Sequence, residues 1–141
     1  MTSDFVQNEA PAEAIRSLIA RIAHAADEAD VVTYSQLYTE DAVWEMTGSR
    51  PQLNSGLAEI QAATRARRAS GTSGPGTETR HLASCIDVTV DSPAEARAES
   101  SWQFYSDTTT APRLTTIGRY HDRFRRVDGR WLLAHRTITI G

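Results

Sequence analysis

Apolar side chains recur every three or four positions beyond Pro11: Ile15, Leu18, Ile19, Ile22 and Ala26 form one stripe along a helix. Pro11 suits its first turn, where the fixed φ is pre-organised and the missing N–H is not needed. Asp27 continues the inward side near the helix end. DEADVVTYSQLYTED then predicts a short turn and a second helix, with Val31, Tyr34, Leu37 and Tyr38 on its inner face. DAVWEMT, residues 41–47, alternates as a strand does, with Glu45 facing away from Trp44 and Met46. SRPQLNSG carries the turn chemistry of a connection. A third helix is expected over SGLAEIQAATRARRAS, with Ser55 as N-cap and Leu57, Ile60 and Ala63 or Thr64 turned inward.

After GTSGPGTET, residues 71–79, the period changes from that of a helix to that of a strand. Four strand-like segments follow, at about 80–90, 94–106, 113–126 and 130–140. DSPAE and VDGR are the clearest turns, and Asp128-Gly129 is a hairpin signal. The second strand has one face of small residues and an aromatic, Ala94, Ala96, Ala98, Ser100 and Trp102. Its other face, Glu95, Arg97, Glu99, Ser101 and Gln103, is solvated. Small residues on the inner wall of a curved sheet leave room for a helix or a ligand. Helices first and an antiparallel meander second make this an α+β fold, with helices on one face of a sheet. WQFY and LLAHRTITI hold more apolar surface than one layer of helices covers, which predicts a homo-oligomer.

Composition narrows the function. At 141 residues the chain is read as one domain, residues 11–141, behind a flexible polar tail, residues 1–10. The net charge is -3, and no basic stripe with interleaved aromatics speaks for nucleic acid. RARR (residues 65–68) and RFRR (residues 123–126) read as solvated faces. The glycine-rich loop is not a phosphate loop, because no Gly-Lys-Ser/Thr follows; it reads as a connection or a lid over a pocket. No apolar run reaches the roughly 20 residues of a membrane span, and the N-terminus lacks the pattern of a signal peptide. Every basic residue is arginine, which excludes a lysine Schiff base. Cys85 stands alone, so there is no CxxC site and no internal disulfide, and a cytoplasmic location is expected. No HxH or HxxxH pair suggests a metal.

The candidate chemistry lies in TETRHLASCIDV, where a strand opens with His81. Such a histidine is either a packing residue or a base aimed into a pocket. Of the others, His24 and His121 read as surface residues, and His135 fits either face of its strand. Cys85 reads as a small buried hydrophobe. Asp122 and Arg136 suit a salt bridge, or Arg136 could stabilise charge on a substrate.

The order YxxLYTEDAVW, GLAEI, TRHLAS, AEARAES and GRYHDRFRRVDGRWLLAHR resembles the SnoaL-like group of nuclear-transport-factor-like proteins, over about residues 12–140. The resemblance implies a cone-shaped half-barrel: a curved, mostly antiparallel sheet with about three N-terminal helices enclosing a hydrophobic pocket. In scytalone dehydratase and hexachlorocyclohexane dehydrochlorinase a histidine opening this strand pairs with an aspartate near the end of the first helix. Here those residues are His81 and Asp27. A carboxylate on one imidazole nitrogen fixes the tautomer and frees the other as a base. The chain departs from scytalone dehydratase where that enzyme has two tyrosines, here Ala26 and Met46, and a second histidine, here Ser100. Met46 also falls where ketosteroid isomerase carries its catalytic aspartate.

The expectation is a lyase or isomerase without cofactor or metal, of dehydratase or β-elimination type, acting on a small hydrophobic molecule. His81 and Asp27 are its catalytic residues. Tyr34, Trp44, Met46, Ser100, Trp102 and Arg136 are its ligand-binding residues. A homodimer or homotrimer is expected, without nucleic-acid or membrane partners. The alternative is a non-catalytic ligand-binding or assembly domain, like the small subunits of ring-hydroxylating dioxygenases.

Overall fold

The computed structural model describes residues 11–141. The expected flexible tail, residues 1–10, lies outside the described residues. Helix α1 spans Pro11–Glu28 and α2 spans Val31–Ser35. Strands β1 (Tyr38–Met46) and β2 (Gln52–Ser55) precede α3 (Leu57–Ala69). Then come β3 (Arg80–Ser92), β4 (Glu95–Ser106), β5 (Arg113–Val127) and β6 (Arg130–Ile140). The strands form one sheet in the order β2-β1-β6-β5-β4-β3. All neighbours are antiparallel except β1 and β6, which run parallel. The sheet is curved and unclosed, with the helices on its concave side: the expected α+β half-barrel. No helix among the described residues is long and apolar enough to cross a membrane.

The stripe on α1 packs as its spacing requires. Ile15, Leu18, Ile19 and Ile22 are almost wholly buried, chiefly against β3. Each such side chain contributes about 1.5–3 kcal/mol relative to an exposed one. Phe124, Leu133 and Ile60 complete the core from the sheet and α3.

Three local expectations are corrected. The second helix is only five residues long. Asp30 caps it by accepting from the Thr33 N–H at 2.8 Å. Leu37 already belongs to the sheet side, its carbonyl accepting from Leu133 N–H at 2.9 Å. Tyr38 and Thr39, aromatic and β-branched, then suit the strand better than the helix. The connection after β1 holds the short strand β2, which pairs with Val43 to Met46. Ser55 lies in that strand, and Gly56 at φ 87 takes the N-cap position instead, its N–H donating to the Ala42 carbonyl at 2.7 Å.

The pairing register sorts the concave face into rows. Trp44, Arg136, Asp122 and Ala98 share the first, and Met46, Ile138, Tyr120 and Ser100 the second. Gly118, Trp102 and Ala83 share the third, and Thr116, Phe104 and His81 the fourth. Of WQFY and LLAHRTITI, Trp102, Leu133 and Ile138 are buried, whereas Ile140 is exposed. The convex face carries Glu45, Glu99, His121, His135 and Thr137. His135 donates to the Glu45 carboxylate at 3.0 Å, which fixes its outward direction. Cys85 is exposed rather than buried. It sits at φ 50 where the β3–β4 register shifts, so a bulge turns its thiol outward.

Candidate functional site

The helices and the concave face enclose a cavity of about 280 Å³, near the lower end of small-molecule pockets. Ile22 and Ala26 of α1 form its roof, with Tyr34 of α2 and Thr64, Arg67 and Arg68 of α3. Trp44, Met46, Trp102, Phe104, Tyr120 and Ile138 form its sheet wall. Thr72 and Ser73 bring the glycine-rich loop to its edge.

His81 opens onto this cavity, and Asp27 stands behind it. The carboxylate of Asp27 contacts the His81 ring at Nδ1, 2.6 Å away. It also accepts the His81 backbone N–H at 3.1 and 3.2 Å. Asp27 is 8 % exposed and the His81 side chain 19 %. A carboxylate on Nδ1 selects the tautomer with its proton there, so Nε2 is left as the basic nitrogen. Phe104 lies against the imidazole, ring centres 4.7 Å apart, and limits its rotation.

The end of α1 that carries Asp27 is held from α3. Arg68 donates from Nη1 to the Ala29 carbonyl at 2.5 Å and from Nη2 to those of Ala25 and Ala26 at 3.3 and 3.4 Å. Helix α1 has no basic residue in its own last turn, and Arg68 supplies side-chain donors to the carbonyls at its end, that of Ala25 also accepting from the Ala29 N–H. Gly74, at φ 110, lets the loop pass over Arg68; a Cβ there would lie 2.6 Å from Arg68 Cγ. The RARR run is thus partly structural, not simply a solvated face.

A second polar group lies deeper. Arg136 makes a paired contact with Asp122, from Nε at 2.8 Å and Nη2 at 2.9 Å, with both residues buried. Its guanidinium also covers the Tyr120 ring at 3.7 Å. Burial alone would favour proton loss, but Asp122 outweighs it and holds Arg136 charged beyond its ordinary range. The Tyr34 and Tyr38 hydroxyls share a hydrogen bond of 2.5 Å. Burial, then the neighbouring Tyr34, pushes the Tyr38 hydroxyl up, and burial does the same for Tyr120. Both phenols therefore stay neutral.

Of the ligand-binding candidates, Tyr34, Trp44, Met46, Trp102 and Arg136 line the cavity. Ser100 is buried beneath that surface, its Oγ without a protein partner among the described residues. Sequence reasoning missed Tyr120, Phe104, Arg67 and Arg68. Tyr120 lies two residues from Asp122 on the same strand face, and Arg67 and Arg68 extend the Ile60–Thr64 helix face by one turn. Trp102 has room because Gly118 faces it; a Cβ there would lie 2.2 Å from the Thr139 carbonyl and 3.0 Å from Trp102 Cε3. Among the described residues no group of three or more His, Cys, Asp or Glu converges as metal ligands would.

The SnoaL-like domain family matches residues 10–137. The chain belongs to that family. No curated protein matches the sequence. Among solved structures, an NTF2-like protein with a cystatin-like fold from Novosphingobium aromaticivorans is 26 % identical. That match covers 91 % of this chain and 80 % of the other, with TM-score 0.73. A scytalone dehydratase candidate from the same organism is 20 % identical over 100 % of this chain and 89 % of its own, with TM-score 0.75. The beta subunit of a candidate aromatic-ring-hydroxylating dioxygenase, also from that organism, is 18 % identical over 99 % and 92 %, with TM-score 0.72. The last two likenesses establish the SnoaL-like fold alone, since one fold serves several chemistries.

Proposed function

We propose that this SnoaL-like protein is a cofactor-independent lyase or isomerase, of dehydratase or β-elimination type, acting on a small, largely apolar molecule. The observation that carries the reading is the Asp27–His81 contact at 2.6 Å, placed so that the imidazole borders the cavity. His81 Nε2 takes a proton from carbon, and Asp27 stabilises the imidazolium that results. In elimination the C–H electron pair forms the double bond while the leaving group departs with its own pair. In isomerisation the imidazolium returns the proton to a second carbon. Tyr34 and Arg136 border the same space and can stabilise charge that develops on the substrate. The protein acts as a homodimer or homotrimer in this reading.

The test is turnover of a panel of β-hydroxy and β-halo carbonyl compounds by wild type, His81→Gln and Asp27→Asn. Loss of activity in His81→Gln supports the proposal, and full activity in that variant overturns it. A second reading, a non-catalytic ligand-binding or assembly domain, is favoured by one observation: the dioxygenase beta subunit aligns over almost the whole chain. Native mass separates the two. A homo-oligomer alone favours the enzyme, and a need for a larger partner favours the subunit.

A further inference from the structure

The three arginines of the cavity wall are not equivalent. Arg136 is neutralised by Asp122. Arg68 gives both terminal nitrogens to the carbonyls of Ala25, Ala26 and Ala29, and its Nε is buried with no acceptor among the described residues. Arg67 does neither. Its side chain donates only to Thr64 Oγ1, at 3.3 Å, and Nη1 is buried with no acceptor among the described residues. Its guanidinium carbon lies 5.0 Å from the centre of the Trp44 ring.

The position of Arg67 near the end of α3 does not account for it. The carbonyls of Ala66, Arg67 and Arg68 already accept the backbone N–H groups of Ser70, Thr72 and Gly71. That helix end is closed without a guanidinium. The residues lining the cavity include no aspartate or glutamate, and the nearby carboxylates of Asp27 and Asp122 are held by His81 and Arg136. A guanidinium against apolar walls calls for a counter-charge, and its planar fork fits an anionic oxygen. Trp102, in the same wall, adds an indole N–H with no acceptor among the described residues.

We infer that the molecule taken by this cavity is an anion, an apolar ring-sized body bearing a carboxylate or an acidic phenol or enol oxygen, and that Arg67 binds that oxygen. The inference rests on reading the cavity as the reaction site proposed above. Trp44, beneath Arg67, stands in the first row of the concave face and His81 in the fourth. Anchor and base therefore approach the ligand from opposite ends, which sets the charged oxygen apart from the carbon that loses its proton.

The test is direct binding of benzoate, 4-nitrophenolate and benzamide by isothermal titration, at a pH where the first two are ionised. Wild type is expected to bind at least one anion roughly tenfold or more tightly than benzamide. Arg67→Gln is expected to lose that preference with benzamide affinity unchanged, and Arg67→Lys to keep part of it. Circular dichroism confirms that each variant is folded. Benzoate alone would assign the oxygen to a carboxylate, and 4-nitrophenolate alone to a phenol or enol. Equal binding of benzamide and both anions, no saturation by either anion at millimolar concentration, or an undiminished preference in Arg67→Gln overturns the inference. The same titrations on His81→Gln keep the two proposals apart. An anion preference that survives there, with turnover also intact, removes the role of His81 and leaves that of Arg67.

Discussion

Asp27 holds His81 at two points, the ring Nδ1 and the backbone N–H. The second contact matters as much as the first. It ties the carboxylate to the start of β3 independently of the ring.

Replacing Asp27 by Asn keeps an oxygen for the backbone N–H but no longer selects one tautomer. The expected loss in kcat/KM on a turned-over substrate is about 10²- to 10⁴-fold, the range for an acid–base group. Nitrogen-15 NMR of the His81 ring checks the cause. A single Nδ1-protonated form in wild type should become a mixture in Asp27→Asn.

Arg68→Ala should act on the dyad from a distance. It removes donors from the carbonyls of Ala25, Ala26 and Ala29 and so loosens the end of α1. A loss of about 1–3 kcal/mol is expected. Amide exchange should quicken at the α1 C-terminus before it does in β5. Gly74→Ala should reproduce part of this, since its Cβ would press on the Arg68 side chain.

Asp122→Ala leaves the Arg136 charge buried and unpaired. The expected cost is about 3–5 kcal/mol in urea unfolding. The double variant Asp122→Leu with Arg136→Met should recover much of it, which would separate the cost of an orphaned charge from the worth of the pair.

Glu45 gives a pH signature on the convex face. Its hydrogen bonds from His135 and then Thr137 hold its carboxyl below the usual glutamate value. A carboxyl depressed in the fold adds stability above its unfolded value and loses it as pH falls through the folded one. The Tm difference between wild type and Glu45→Gln should therefore be present at neutral pH and vanish in acid.

Much of this was legible in the sequence, where one period ran uninterrupted. The α1 stripe, the alternation of β4 and the Asp128-Gly129 turn needed only local reading. Strand β2 was not legible, since four mostly polar residues carry too little pattern. Which face of β6 points inward was hidden by register shifts between Tyr38 and Val43 and between Arg123 and Phe124, which reset the alternation. The roles of Arg67 and Arg68 were masked by reading a charge run as a run rather than by helix face. Asp27 and His81 are 54 residues apart, so family resemblance, not spacing, joined them.

The parallel pairing of β1 with β6 has a consequence for how the molecule comes together. Strand β6 follows all the others in sequence yet sits third in the sheet, between β1 and β5. Strands β3, β4 and β5 pair as successive hairpins of low contact order. Strands β1 and β2 join them only through β6, which carries Arg136 and Ile138. Closing the sheet therefore needs contacts across most of the sequence, and the cavity is complete only with β6 in place.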